Sequence, residues 1–351
     1  MSDRLYLKGN EALAYGSLKA RMEAYFAYPI TPSSEIAETF AKEFNNPEYP
    51  DYKLFLQASS EIEAINLVLG AASTGARVMT ATASPGFSLK QEGISYGVGM
   101  ELPFVVANVN RGGPGLGSLG PEQSDYFQVT KGGGHGGYKM VVLAPSTVQE
   151  MASYPQIAFD LAFKYRNPVM LFMDAFTGQI KEDIIFPEIT VSEYDLSWSV
   201  GKGKYNILNS LHLDLEEQEL HQRKLFKKYD LMRKNEVRYE AYRTDDAEIL
   251  IVAFGIVARI AKSAVNHARE EGIKAGLLRP ITLFPYPYEK IASLTPHLKH
   301  VIVAELNSGL MKEDVLIALN GRVPASSLLH AGGVIHTEKE VYDEIIKYNR
   351  K

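Results

Sequence analysis

Short apolar runs alternate with stretches of helical rhythm over the first half of the chain. Residues 11–24 (EALAYGSLKARMEA) repeat their apolar positions at helical spacing, and residues 25–28 then read as a short buried strand. Pro29 and Pro32 punctuate a loop, after which Ser33 or Ser34 can cap a helix beginning near Glu35. A strand over 54–57 precedes a helix over 60–74, and a strand over 77–83 turns through Ser84-Pro85-Gly86 into the next helix. Further strands are expected over 103–110, 138–144 and 168–174. Short apolar strands alternating with helices predict a parallel α/β sheet covered on both faces.

The texture changes near residue 188. Residues 212–242 are dense in both signs of charge, with Leu225, Tyr229 and Met232 on one helical face, and read as a solvated linker helix held by one stripe. A second α/β run follows, with strands over 247–255, 274–278 and 300–305 and an amphipathic helix from Thr337. The expected division is one unit over 1–190, a charged linker over 191–245 and a second unit over 246–351. A chain of 351 residues is long enough for two such units.

Composition narrows the chemistry. The net charge of −5 gives no reason to expect nucleic acid or an anionic membrane as partner. No stretch has the length of a membrane span and the start lacks a signal-type apolar segment, so a cytoplasmic location is expected. The sequence has no cysteine, so no thiolate-held iron–sulfur cluster can belong to this chain. The histidines show no metal-ligand spacing, and no metal held by this chain is expected.

Ligands of open parallel sheets sit beyond the carboxyl ends of the strands. Four segments fall there: 28–34 (YPITPSS), 57–61 (QASSE), 82–87 (TASPGF) and 110–114 (NRGGP). Glu61 either favours the positive end of its helix or is a partly buried carboxyl poised for proton exchange with a cofactor nitrogen, with Glu63 as its rival. Arg111 suits a carboxylate, because a guanidinium donates two parallel hydrogen bonds, or else pairs with a surface acid. Thr31, between two prolines, is either a turn residue or a placed hydroxyl. Residues 111–137 (RGGPGLGSLGPEQSDYFQVTKGGGHGG) look phosphate-binding but lack the P-loop spacing. Their glycines would let backbone approach a ligand or a neighbouring subunit, and His135 is left open between a contact and a loop residue.

In this order KGNEALAYGSLKA, YPITPSSEIAE, SSEIEAINLVLGAASTGARVMTATASPGFSL and VNRGGPGLGS resemble the α subunit of 2-oxoacid:ferredoxin oxidoreductases, and AFGIVARIA, LLRPITLFPYP and VAELNSGLM resemble its second, transketolase-C-terminal-like domain. The resemblance spans nearly the whole chain, and LGPEQSDYFQVTKGGGHGGY is most similar to the branched-chain (2-oxoisovalerate-type) members. It implies a pyrimidine-binding domain of thiamine-diphosphate enzymes followed by that second α/β domain. Glu61 would hydrogen-bond N1′ of the coenzyme's aminopyrimidine, Arg111 would hold the substrate carboxylate, and Thr31 would lie beside the substrate carbonyl. Pro29, Ser84 and Gly86 would line the coenzyme. The diphosphate and its Mg²⁺ would sit on a β subunit, and iron–sulfur clusters on partner chains, with γ and ferredoxin-like δ subunits or domains completing the assembly. The implied reaction is oxidative decarboxylation of a 2-oxoacid, with coenzyme A taking the acyl group and ferredoxin the electrons. The alternatives are 2-oxoglutarate or pyruvate as substrate, a non-redox thiamine-diphosphate enzyme, or a structural or regulatory paralogue. The family's T-S-G-P-G run is Thr82-Ala83-Ser84-Pro85-Gly86 here, and the charged segment before the second domain also varies.

Overall fold

The computed structural model describes residues 4–188, 190, 192–201 and 205–350. The first half runs β1 (Leu5–Lys8), α1 (Gly9–Lys19), β2 (Ala24–Ala27), α2 (Ser34–Lys42), β3 (Leu54–Gln57), α3 (Glu61–Ser73), β4 (Val78–Ala83), α4 (Ser84–Gly99), β5 (Val105–Asn110), α5 (Tyr126–Thr130), β6 (Val141–Leu143), α6 (Val148–Tyr165), β7 (Val169–Asp174), α7 (Ala175–Gln179) and β8 (Lys181–Ile184). After it come α8 (Leu215–Asn235), β9 (Tyr239–Tyr242), β10 (Ile249–Val252), α9 (Gly255–Glu270), β11 (Ala275–Pro280), β12 (Thr282–Phe284), α10 (Tyr288–Leu294), β13 (His300–Glu305), α11 (Leu310–Leu319), β14 (Ala325–Leu329) and α12 (Glu338–Asn349).

The larger sheet has the order β12-β6-β7-β5-β4-β2-β3. Its strands are parallel except β12, which pairs antiparallel with β6. The central β4, β5 and β7 are buried at every position, as expected of strands covered by helices on both faces. The smaller sheet has the order β14-β13-β10-β11-β9, with only β9 antiparallel. Along β10, Leu250 and Val252 join the core of the larger sheet, whereas Ile249 and Ile251 face α9 and α12 in a separate core. That alternation is the period of a strand read out as two layers of packing.

The expected boundaries at 190 and 245 meet a chain that crosses them. Leu225, Tyr229 and Met232 of α8 are buried in the first core, so their face is a packing surface as the stripe predicts. β9, inside the expected linker, adds an edge to the second sheet, and β12, inside the expected second unit, adds an edge to the first. Other differences are local. The first helix ends at Lys19, before the expected 24, and Arg21 beyond it has φ 58°. Ser33 stands at the N-cap of α2, yet its hydroxyl donates to the Ile30 carbonyl at 2.7 Å instead of accepting from the first turn. The strand expected over 247–255 stops at Val252, and Gly255 opens α9 at φ 58°.

Met232 is fully buried where α8 meets the first core. Met232→Ala is expected to lower unfolding free energy by ~2–5 kcal/mol, measured by urea titration. A change under about 0.5 kcal/mol, typical of surface positions, would show that α8 is not part of that core.

Candidate functional site

The four post-strand segments converge at the carboxyl edge of the larger sheet. Asn10 on α1 donates to the Pro32 carbonyl at 2.7 Å, and Arg111 Nη1 donates to the Thr31 carbonyl at 2.8 Å, fixing the loop after β2 from two directions. The Ser84 hydroxyl at the head of α4 accepts from the Arg111 N–H at 3.1 Å and from Asn110 Nδ2 at 3.0 Å. Gly86 closes the remaining link. A β-carbon there would stand 2.3 Å from Thr82 Oγ1 and 2.5 Å from Glu61 Oε1, so only glycine lets α4 pass beside the Glu61 side chain.

Glu61 and Glu63 separate cleanly. Glu63 is exposed; it accepts from the Ser59 N–H at 2.6 Å and from the Ser59 hydroxyl, while its own N–H donates to Ser60 Oγ at 3.1 Å. Those bonds hold its carboxyl below the usual range and tie it to the helix cap. Glu61 is only 5% exposed, and among the described residues no donor reaches its carboxylate. A carboxyl set in a packed edge without a protein donor is open to a ligand that supplies one.

Arg111 is buried. Its Nη2 donates to the Leu116 carbonyl at 3.3 Å, and its Nε is buried with no partner. The guanidinium therefore braces two loops and keeps three of its five N–H bonds unspent, Nε–H among them. Thr31 and Pro29 are exposed, and Thr31 meets Arg111 through its carbonyl. His135 is exposed, and its backbone carbonyl accepts from Ser95 Oγ. The glycines around it serve closeness within this chain: a β-carbon on Gly134 would lie 2.4 Å from the Gln91 carbonyl, and one on Gly120 would lie 2.5 Å from Gly333 Cα.

The second sheet closes the site. Glu122 accepts from Gly113 N–H and from Gly332 N–H, both at 2.8 Å, and Gln123 exchanges hydrogen bonds with Leu306, Asn307 and Phe254. A cleft of about 510 Å³ lies there, lined by Ser84, Arg111, Glu122, Asn307 and Ala331 among others. A larger cavity of about 920 Å³ beside β12 shares none of these residues, and its lysine- and tyrosine-lined wall is unconnected with this chemistry.

Two features escaped the sequence reading. Lys90 is fully buried, with Nζ 3.4 Å from the Glu61 carbonyl, and burial lowers its pKa to about 8 while the Glu61 charge opposes that shift. It shares the buried face of α4 with Phe87 and Ile94, and a lone cation in that stripe was the available signal. The second is His330, His336 and Glu340, whose candidate ligand atoms lie within 4.8 Å of one another despite their spacing in the sequence. The intervening loop hid it, because the spacing H-x₅-H-x₃-E follows no common metal motif.

A carboxyl beside a glycine gap, an arginine with unspent donors, and a cleft between a parallel sheet and a second α/β layer thus meet at the carboxyl edge of the larger sheet. Residues 15–246 match the family "Pyruvate flavodoxin/ferredoxin oxidoreductase, thiamine diP-bdg", and residues 247–341 match "Pyruvate:ferredoxin oxidoreductase core domain II". The chain belongs to this family and is a subunit of a 2-oxoacid:ferredoxin oxidoreductase. Similar proteins include the ketoisovalerate oxidoreductase subunit VorB of Methanothermobacter marburgensis, 50% identical over 89% of both chains. The 2-oxoglutarate synthase subunit KorA of Archaeoglobus fulgidus is 36% identical over 95% of this chain and 96% of its own. The 2-oxoglutarate:ferredoxin oxidoreductase of Magnetococcus marinus, solved with 2-oxoglutarate, coenzyme A and succinyl-CoA, has a TM-score of 0.87 at 26% identity over 99% of this chain and 66% of that one.

Lys90 generates a pH prediction. Its folded pKa of about 8 lies below the ~10.4 of an exposed lysine, so the unfolded chain binds the extra proton between those values. Stability should therefore rise with pH from about 8 to 10.4, by an amount on the order of 3 kcal/mol. Denaturant titrations should show Lys90→Met lacking that rise. An identical pH slope in both proteins would show that Lys90 titrates normally.

Proposed function

We propose that this chain supplies the coenzyme-activating acid and the substrate clamp of a branched-chain 2-oxoacid:ferredoxin oxidoreductase, at a site completed by a partner subunit. The observation that carries the reading is the Glu61 carboxyl, which stands beside Gly86 on a residue only 5% exposed and has no protein donor. Such a group fits an aminopyrimidine nitrogen, because a ligand nitrogen that shares a proton with it supplies the missing bond. Thiamine diphosphate, when bound, supplies an acidic carbon nucleophile and an electron sink.

Each residue here has a separate task. Glu61 holds a proton at the pyrimidine nitrogen, and the Thr82 and Ala83 end of β4 with Gly86 keeps that carboxyl in place. Arg111, with Nε–H and a further Nη2–H on one edge, binds the substrate carboxylate side-on while its Nη1 fixes the Thr31 loop. Thr31 presents its hydroxyl to the substrate carbonyl, and Pro29 and Ser84 line the coenzyme. The diphosphate and Mg²⁺ belong to a β-type partner, and the iron–sulfur clusters to partner chains, since this sequence has no cysteine. γ and δ subunits or domains, coenzyme A and soluble ferredoxin complete the reaction in the cytoplasm. No helix among the described residues is long and apolar enough to cross a membrane.

Support for the substrate comes from the relatives. The ketoisovalerate subunits are 48–50% identical to this chain, and the 2-oxoglutarate subunits 31–36%. Purification with native partners, followed by viologen reduction with coenzyme A and a panel of 2-oxoacids, tests the reading. Branched 2-oxoacids should give the highest kcat/KM, and the isolated chain should be inactive. Turnover by the isolated chain would overturn the shared site, and a preference for pyruvate or 2-oxoglutarate would overturn the substrate. Arg111→Ala should lower kcat/KM roughly 10–100-fold, the worth of charge-assisted hydrogen bonds of ~1.5–3 kcal/mol. An unchanged value removes it from the clamp.

A further inference from the structure

We propose that His330, His336 and Glu340 form a binding site for one divalent transition-metal ion of the zinc class, at the carboxyl edge of the second sheet. His330 directly follows β14, His336 precedes the Thr337 cap of α12, and Glu340 lies in the first turn of that helix. All three stand beyond the carboxyl ends of β13 and β14, where open α/β sheets bind their ligands.

The hydrogen bonds leave His336 Nδ1 without a partner and set His330 Nε2 beside Glu340 Oε1. His336 is 2% exposed, and its Nε2 stands 3.1 Å from the Glu305 backbone carbonyl. A carbonyl only accepts, so Nε2 carries the proton and Nδ1 presents a lone pair. That Nδ1 is buried and has no hydrogen-bond partner. An imidazole held by a backbone carbonyl on one nitrogen and open on the other has the arrangement of a metal-ligating histidine.

Glu340 divides its oxygens. Oε2 accepts from the Thr337 N–H at 2.7 Å and from the Thr337 hydroxyl at 2.8 Å, which fixes the carboxylate on its helix. Oε1 lies 3.1 Å from His330 Nε2. Ligand atoms on one tetrahedral zinc stand ~3.3 Å apart, so this pair already has the required spacing. The candidate atoms of all three residues fall within 4.8 Å, and the two imidazole rings are tilted at 49° instead of stacked. Small side-chain rotations close the cluster around one ion. Two imidazoles with one carboxylate favour zinc-like ions over magnesium or calcium, and water takes the fourth position. A purely hydrogen-bonded cluster satisfies His330 and Glu340 but leaves His336 Nδ1 buried and unpaired.

The ion would have a structural effect on the cleft. The loop between the two histidines carries Ala331 in the cleft wall, and Gly332, whose N–H donates to Glu122 and whose carbonyl accepts from Ser118 Oγ at 3.2 Å. Both of those contacts brace the loop that begins at Arg111. An ion at its base would fix the second sheet's side of the cleft.

The test uses the tag-free full-length chain, stripped with a chelator and titrated with Co²⁺. The absence of cysteine removes thiolate absorption from the spectrum. The wild-type chain should take up one Co²⁺ with the visible d–d bands of tetrahedral cobalt, and Zn²⁺ should displace it. His336→Gln should abolish the bands, and Glu340→Gln, which retains an oxygen for the helix cap, should weaken binding on the order of 10–100-fold. The absence of tetrahedral bands in the wild-type chain overturns the proposal without any variant. So does a band that survives in His336→Gln, for instance from the neighbouring rings of His212 and His221.

Discussion

A buried carboxamide ties the two sheets together at the edge of the site. Gln123 is 1% exposed, and its backbone N–H, backbone carbonyl and both side-chain atoms bond to the second layer at Leu306, Asn307 and Phe254. An amide in an apolar interior must satisfy donor and acceptor together, which leaves little freedom in how the layers meet. The neighbouring Glu122 uses both oxygens on loops of opposite layers. Asp174, at the carboxyl end of β7, accepts from the Ile256 N–H through Oδ2 at 3.1 Å. A β-carbon on Gly255 would stand 2.7 Å from that oxygen, so the joint also fixes which residue can open α9.

That joint lets the site carry groups that burial would otherwise penalise. The carboxyl of Glu61, the ammonium of Lys90 and the guanidinium of Arg111 all lie within the packed edge of the first sheet. Glycine at position 86 forgoes a side chain's packing in exchange for room beside a carboxylate. Arg111 is at once a brace, through Nη1 and Nη2, and a source of free donors. Glu61, Gly86 and Arg111 give up stability here and are among the residues proposed to meet coenzyme and substrate, the usual relation between stability and function.

Strand and helix patterns made most of the architecture legible, because β4, β5, β7, β10 and β13 are mostly apolar and buried over their whole length. The edge elements were not legible. β1, β8, β9 and β12 are short, half exposed or drawn from a distant part of the chain, and nothing local in β12 signals that it pairs with β6. In the site, order and position of the four post-strand segments pointed to the crevice, and the resemblance singled out Glu61. Only three-dimensional packing separated it from Glu63, since both lie in the first turn of α3 and differ in what surrounds them. The histidine cluster depends on a loop that folds back on β13, a contact that residue spacing does not encode.

The proposed chemistry turns on Glu61, which would share a proton with the coenzyme. Hydrogen–deuterium exchange at C2 of thiamine diphosphate, followed by quenched flow and NMR on the assembled complex without 2-oxoacid, measures that step before any substrate, cluster or coenzyme A is involved. Fast exchange in the wild-type complex, strongly slowed in Glu61→Gln and unaltered in Glu63→Gln, is the predicted result. Exchange at the wild-type rate in a fully loaded Glu61→Gln complex would contradict it.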